Sequence, residues 1–283
     1  MKTLSYGKHI AMFPERMSEL DEKHLLQLAE CFTGIKSLVD AKVWLARLWA
    51  PKVFAFNEAR IKDTLDRISR TDQSSQKEIL MERLEDCDMN RYFLSELCNW
   101  ITEPQTCDRW ILSTMTFRKF ILWDVTFSGP SLRFGNVQFW EWCRAEDYFT
   151  QYIETGNRTA FNKFCACLYH PLKNGKRLPF SDEMVNSNHN YFNQLTARDV
   201  FAIRLNYIAV KNWIRQVHPD LFKRREEVDN SDQEDMADLL LRHADIQKVH
   251  YKIVEKDPLL VALKQMNNRA KDAKEAQERS ENK

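Results

Sequence analysis

The sequence predicts a mainly α, multi-helix globular protein, and three observations carry that prediction. Glycine is scarce: 6 of 283 residues, about 2% against an average of about 7%. Such scarcity works against folds built from many tight turns or from glycine-rich phosphate loops. Apolar residues recur at helical spacing along most of the chain. A composition that is 43% apolar, with 17 Phe, 8 Tyr and 8 Trp, supplies enough large side chains for a sizeable core.

With so few breakers, Gly and Pro almost draw the element map. A first helix follows Pro14, with Ser18 and Asp21 at capping spacing, Leu25, Leu26, Leu28, Ala29 and Phe32 as its apolar residues, and Gly34 at its end. Val39 to Trp49 reads as a second helix, stopped or kinked at Pro51. Between Lys52 and Glu103 there is neither Gly nor Pro, and the polar run Thr71 to Gln76 is the natural connection inside it. Ser75 and Glu78 have capping-box spacing for the helix that follows. Ile111 to Trp123, rich in Thr, Phe and Ile, is a strand or a buried helix, since periodicity does not decide between them.

Gly129-Pro130 and Gly135 mark the clearest loop. Asn136 is positioned to cap a helix carrying Phe139, Trp142, Cys143, Phe149, Tyr152 and Ile153. Thr155-Gly156-Asn157 turns the chain into a stripe of Phe161, Phe164, Cys165 and Leu168. Pro171, Gly175 and Pro179 bound a basic loop, Leu172 to Arg177. A long helix then runs from about Thr196 to Val217, with Val200, Ile203, Tyr207, Val210 and Ile214 on one face, and ends before Pro219. Lys223 to Asp238 is charged and reads as a solvated linker, one more helix follows, and 264–283 is a polar tail, either a single-sided helix or disordered. The division is therefore an N-terminal helical region over 1–123, a central helical domain over 127–222, a linker and C-terminal helix over 223–263, and the tail over 264–283. Within the first 134 residues, only Ile111 to Phe134 is expected to contribute a minor β element.

Charge and cysteine usage exclude several classes. With 42 Lys plus Arg against 41 Asp plus Glu, the net charge is +1, which supplies no global field to draw nucleic acid or an anionic membrane. No stretch approaches the ~20 apolar residues that span a bilayer, and Met1 to Lys8 lacks the apolar core of a secretory signal. Seven irregularly spaced cysteines fit reduced thiols, so a cytoplasmic location is expected. No P-loop, nucleophile elbow or Cys–His signature is present, and neither catalysis nor a cofactor is expected.

Each chemically suggestive cluster has a plainer reading. Cys165 and Cys167, near His170, would point about 200° apart on a helix, so they read as core thiols and not as metal ligands. Glu141, Glu146, Asp147 and Glu154 read as the solvated face opposite a Phe/Trp stripe. His243 and His250 share a helix face and read as surface or satisfied histidines. Lys173, Lys176 and Arg177, and again Lys223 to Arg225, make only modest basic patches. Trp140 and Trp142 also diverge by about 200°. Trp140 therefore faces either an interface or a second helix.

One stretch resembles a known group. Ser128-Gly129-Pro130-Ser131-Leu132-Arg133-Phe134, Phe139 to Arg144 running into Ala145-Glu146-Asp147-Tyr148-Phe149, Tyr152-Ile153-Glu154-Thr155-Gly156-Asn157 and Phe161 to Pro171 form an ordered series of aromatic landmarks. Over 127–222, a third of the chain, the series resembles proteins from the tail-assembly region of phages and prophages of the Bacteroidota. His170 stands where that pattern has Arg. The resemblance implies a non-enzymatic, tail assembly chaperone-like protein of the host cytoplasm, binding the tape-measure or tail-tube protein by presenting an apolar surface to a partner helix. The alternatives are a structural virion component, such as a connector or tail-completion protein, and a nucleic-acid-binding or regulatory protein. Self-association into a homo-oligomer fits either phage role. The candidate partner-binding residues are Trp140, Tyr169, His170 and Trp213.

Overall fold

The computed structural model describes residues 1–6, 9–34, 37–120, 123–222, 244, 254 and 256–281. The expected linker over Lys223–Asp238, with its basic triplet, and His243 and His250 lie outside the described residues. The chain is mainly α, with a minor β component in two sheets. It divides into two units. One comprises Met1–Thr106 with Ala197–Ala209, the other Cys107–Thr196 with Val210–Lys283. The boundary thus falls at 106/107, ahead of the position after 123 read from the sequence. The reason is that Trp110 and Leu112 are buried with the central helices and that the strands after Ser113 pair with a later hairpin.

The first unit opens on an element absent from the sequence reading, an antiparallel hairpin of β1 (Lys2–Tyr6) and β2 (His9–Phe13), with Lys2 opposite Phe13 and Tyr6 opposite His9. Helix α1 (Glu22–Gly34) is capped by Asp21, whose Oδ1 accepts from the His24 backbone N–H at 2.8 Å. Ser18 sits instead in a 3-10 turn, Met17–Glu19. Helix α2 (Leu38–Trp49) is capped by Ser37, and Pro51 occupies the first position of α3 (Pro51–Arg70). There the missing N–H costs nothing. Thr71 to Gln73 connect α3 to α4 (Ser74–Glu96), which starts at Ser74 with no side-chain cap, so the expected Ser75/Glu78 box does not form. The α3–α4 hairpin has a narrow seam: Val53, Phe54, Asn57 and Thr64 on one helix, Leu80, Cys87 and Leu94 on the other. Asn57 Nδ2 donates to the Cys87 carbonyl at 2.8 Å. At the base of this unit Trp49 and Trp100 stack with centroids 6.2 Å apart.

In the second unit β3 (Thr114–Phe120) and β4 (Trp123–Ser128) settle the open segment as a strand pair. The sheet order is β3-β4-β5-β6, with β5 (His170–Lys173) and β6 (Lys176–Arg177) closing it. What read as a basic loop is therefore a hairpin. Asn174 and Gly175 turn it with φ of 53° and 72°, the left-handed pair that an Asn-Gly hairpin requires.

Helix α5 (Phe139–Thr155) begins with a reciprocal capping box between Gln138 and Glu141. Asn136, the expected cap, instead braces the preceding loop by accepting from the Ser131 N–H at 2.6 Å. Gly156, at φ 67°, ends α5, and Asn157 caps α6 (Arg158–Leu168). The two helices meet through aromatic pairs, Phe149 with Phe164 at 5.0 Å and Tyr152 with Phe161 at 4.8 Å. After the short α7 (Asp182–Asn188), α8 (Ala197–Val217) buries the face read from the sequence, and α9 (Pro219–Phe222) follows. The last helix, α10 (Leu259–Glu281), settles the described part of the polar tail as helical.

Candidate functional site

Ionisable chemistry concentrates where α5, α6 and the β5–β6 hairpin of the second unit meet. Glu141 and Glu146, expected on a solvated helix face, are buried, at 1% and 4% exposure. Each has a cation brought to it from far along the chain. The Arg177 guanidinium reaches from the hairpin to Glu141 Oε1 at 2.5 Å, and it also donates to the carbonyls of Leu168 (2.8 Å) and Asn136 (2.6 Å). Lys211 on α8 meets Glu146 Oε2 at 2.5 Å. A carboxylate taken out of water needs such partners, and helical periodicity alone does not disclose them.

His170 completes the first cluster. Its ring is enclosed, with Nδ1 at 2.7 Å from the Leu178 carbonyl, Nε2 at 2.8 Å from the Cys167 carbonyl, and Glu141 Oε1 at 3.5 Å. Burial pushes the His170 pKa down to about 4, reinforced by the Arg177 charge, so the ring is neutral at pH 7. Burial likewise pushes the Glu141 carboxyl up to about 7, against the pull of Arg177. Beside it Tyr169 is fully buried: its hydroxyl accepts from Trp110 Nε1 at 2.7 Å and donates to the Leu112 carbonyl at 2.8 Å.

Tyr169 and His170 were expected at a partner surface, and the structure corrects both. Their polar atoms are spent on backbone carbonyls and neighbouring rings, and neither is accessible to a partner. Cys165 and Cys167 are core thiols, as their spacing suggested, and burial raises both well above the ordinary thiol range. Among the described residues no three potential ligands come together around a metal position.

The other two candidates, Trp140 and Trp213, are half-buried. Trp140 belongs to an arrangement that sequence reasoning missed. The Arg144 guanidinium lies over the rings of both Trp140 (5.4 Å) and Tyr148 (5.5 Å), and Lys163 Nζ lies 5.4 Å from the Tyr148 ring. Arg144 also pairs with Asp182 at 3.2 Å and Asp147 at 3.7 Å. The i, i+4, i+8 spacing of Trp140, Arg144 and Tyr148 was the available signal. The result is a straight, half-exposed aromatic strip along α5, held in place by cation–π contacts.

The first unit offers only an open depression of about 400 Å³ lined by Glu22, Lys23, Leu26, Gln27, Glu30 and Arg198. Among the described residues no helix is long and apolar enough to cross a membrane. Compared with protein-family models, with curated proteins and with solved structures, the chain matches none. Its class is accordingly the one the fold defines, a mainly helical protein whose buried charges brace its core.

Proposed function

We propose that this chain is a non-enzymatic protein-binding factor, and that it acts in phage tail assembly, as a chaperone-like partner of the tape-measure or tail-tube protein in the host cytoplasm. The observation that carries the binding role is the strip of Trp140, Arg144, Tyr148 and Lys163. Its rings are half-exposed, their orientation is fixed by stacked cations, and Arg144 is balanced by Asp147 and Asp182. A rigid amphipathic ridge of this kind suits an apolar helix laid along it. By contrast, the buried ionisable groups at the α5–hairpin junction bond to backbone and to one another. The tail-assembly role rests on the resemblance over 127–222, within which the strip falls.

The test is an affinity pull-down of the tagged chain from phage-producing cells, with mass spectrometry of what co-purifies. Capture of a long helical tail protein, with the bait absent from mature particles, is the expected result. Capture of assembled tail or head components, with the bait inside particles, would replace this reading with the structural virion component. Trp140→Ala should reduce capture at least about tenfold while leaving the melting temperature nearly unchanged.

A further inference from the structure

The exposed length of α10 carries an inference independent of that role. The helix is anchored by Leu259, Ala262, Leu263 and Met266, all buried. From Asn268 onward almost every residue is exposed, including Lys271 at 62%, Lys274 at 56%, Glu278 at 58% and Arg279 at 80%. A helical segment of this length without tertiary packing is marginal in water, so its own charges matter.

Those charges are segregated. Residues 267–274 carry Arg269, Lys271, Lys274 and Asp272, a net +2, whereas 275–281 carry Glu275, Glu278, Glu281 and Arg279, a net −2. Two of the ion pairs within the helix, Lys271–Glu275 at 4.0 Å and Lys274–Glu278 at 3.6 Å, run with the cation first. That is the weaker orientation for an isolated helix. The pattern is poorly suited to a helix on its own and well suited to one lying antiparallel to a copy of itself.

At 100° per residue, Met266, Ala270, Ala273 and Gln277 fall within about 60° of one another, extending the anchored face outward as a narrow seam. Lys271, Lys274, Glu278 and Glu281 fall within about 80° along one flank of it. In an antiparallel pair that flank meets itself, so Lys271 and Lys274 of one copy oppose Glu281 and Glu278 of the other. In a parallel pair it meets the other flank and sets Arg269 against Lys274.

We infer that α10 is a self-association helix, pairing antiparallel with the α10 of a second copy of this chain through the Ala270/Ala273 seam and the Lys271, Lys274, Glu278 and Glu281 flank. An overlap of about 22 Å buries less than a standard interface, which makes the dimer weak and reversible. The full chain is examined by sedimentation equilibrium from about 1 to about 300 µM, the range in which so small an interface associates, at low and at high salt. The wild type should dimerise, with an affinity that falls as salt rises.

K271E/K274E and E278K/E281K should each raise the dissociation constant at least about tenfold. An equimolar mixture of the two should associate, and the four-fold inversion on one chain should restore the homodimer. A wild type that stays monomeric throughout overturns the inference. So do charge variants that dimerise like the wild type, or a four-fold inversion that fails to recover association.

Discussion

The α5–α6 pair and the α3–α4 hairpin are both two-helix units joined by short turns, yet they are held together by different means. Between α5 and α6 the contact is aromatic, and one side of the pair is closed off by the sheet. There Phe117, Phe127 and Phe192 pack with centroids 5.1–5.6 Å apart. The polar groups caught inside, Glu141, Glu146 and His170, are bonded to cations and carbonyls. The α3–α4 seam is a single line of residues that includes Asn57 and Thr64, while Phe56, Leu65, Ile79 and Met81 remain exposed. Two elements of the same kind therefore differ in what removing one residue does. In the first it strands a buried charge or opens a cavity, and in the second it thins a contact already near water.

The largest expected effect is at Arg177. Arg177→Ala leaves Glu141 buried without its cation and two carbonyls without their donor, at a cost of about 3–5 kcal/mol, read as a lowered urea midpoint. Close behind is a matched pair of truncations. Phe164→Ala empties a fully enclosed site and should cost about 3–5 kcal/mol, whereas Leu80→Ala, on the thin seam, should fall at or below the ~2 kcal/mol end of the range for Leu truncations. Equal losses at the two positions would dissolve the distinction between the regions. Gly129→Ala comes next. A Cβ there would lie 2.9 Å from the Tyr169 ring and 3.0 Å from the Trp110 ring, an overpacking cost of about 1–3 kcal/mol. Native-state amide exchange sharpens the contrast without mutation, since mid-helix amides of α3 and α4 should exchange well before those of α6.

Much of the better-packed region was legible in the sequence. The Phe161, Phe164, Cys165 and Leu168 stripe and the buried face of α8 follow from 3.6-residue periodicity, and Gly156 and Pro219 end their helices for the usual backbone reasons. The strands were harder to read. β1 and β2 are five residues each, and β6 is only two, so none is long enough to display an alternation. The Asn174-Gly175 turn was legible in principle, but three flanking basic residues drew attention to charge instead. The burial of Glu141 was not legible. An acidic residue on an amphipathic helix reads as solvated, and the arginine that makes its burial tolerable lies 36 residues further along the chain.

The smallest effect expected is a cancellation, and it tests whether that buried cluster is balanced as its geometry implies. His170 has a folded pKa near 4 against 6.5 when unperturbed. Its contribution to stability is therefore present above pH 6.5 and lost as pH falls toward 4. Glu141, near 7 against 4.5, does the reverse: its contribution is present below pH 4.5 and lost as pH rises through 7. Between pH 4.5 and 6.5 the folded state holds about one extra proton at Glu141 and lacks about one at His170. The slopes oppose, and the pair together should change stability by less than about 1 kcal/mol across that window. His170→Asn removes one arm and should expose the other, so that stability declines as pH rises from 4.5 to 7. Denaturation midpoints measured at half-unit intervals would show it. A variant whose profile stays parallel to the wild type would mean that Glu141 keeps its proton equilibrium through Arg177 alone.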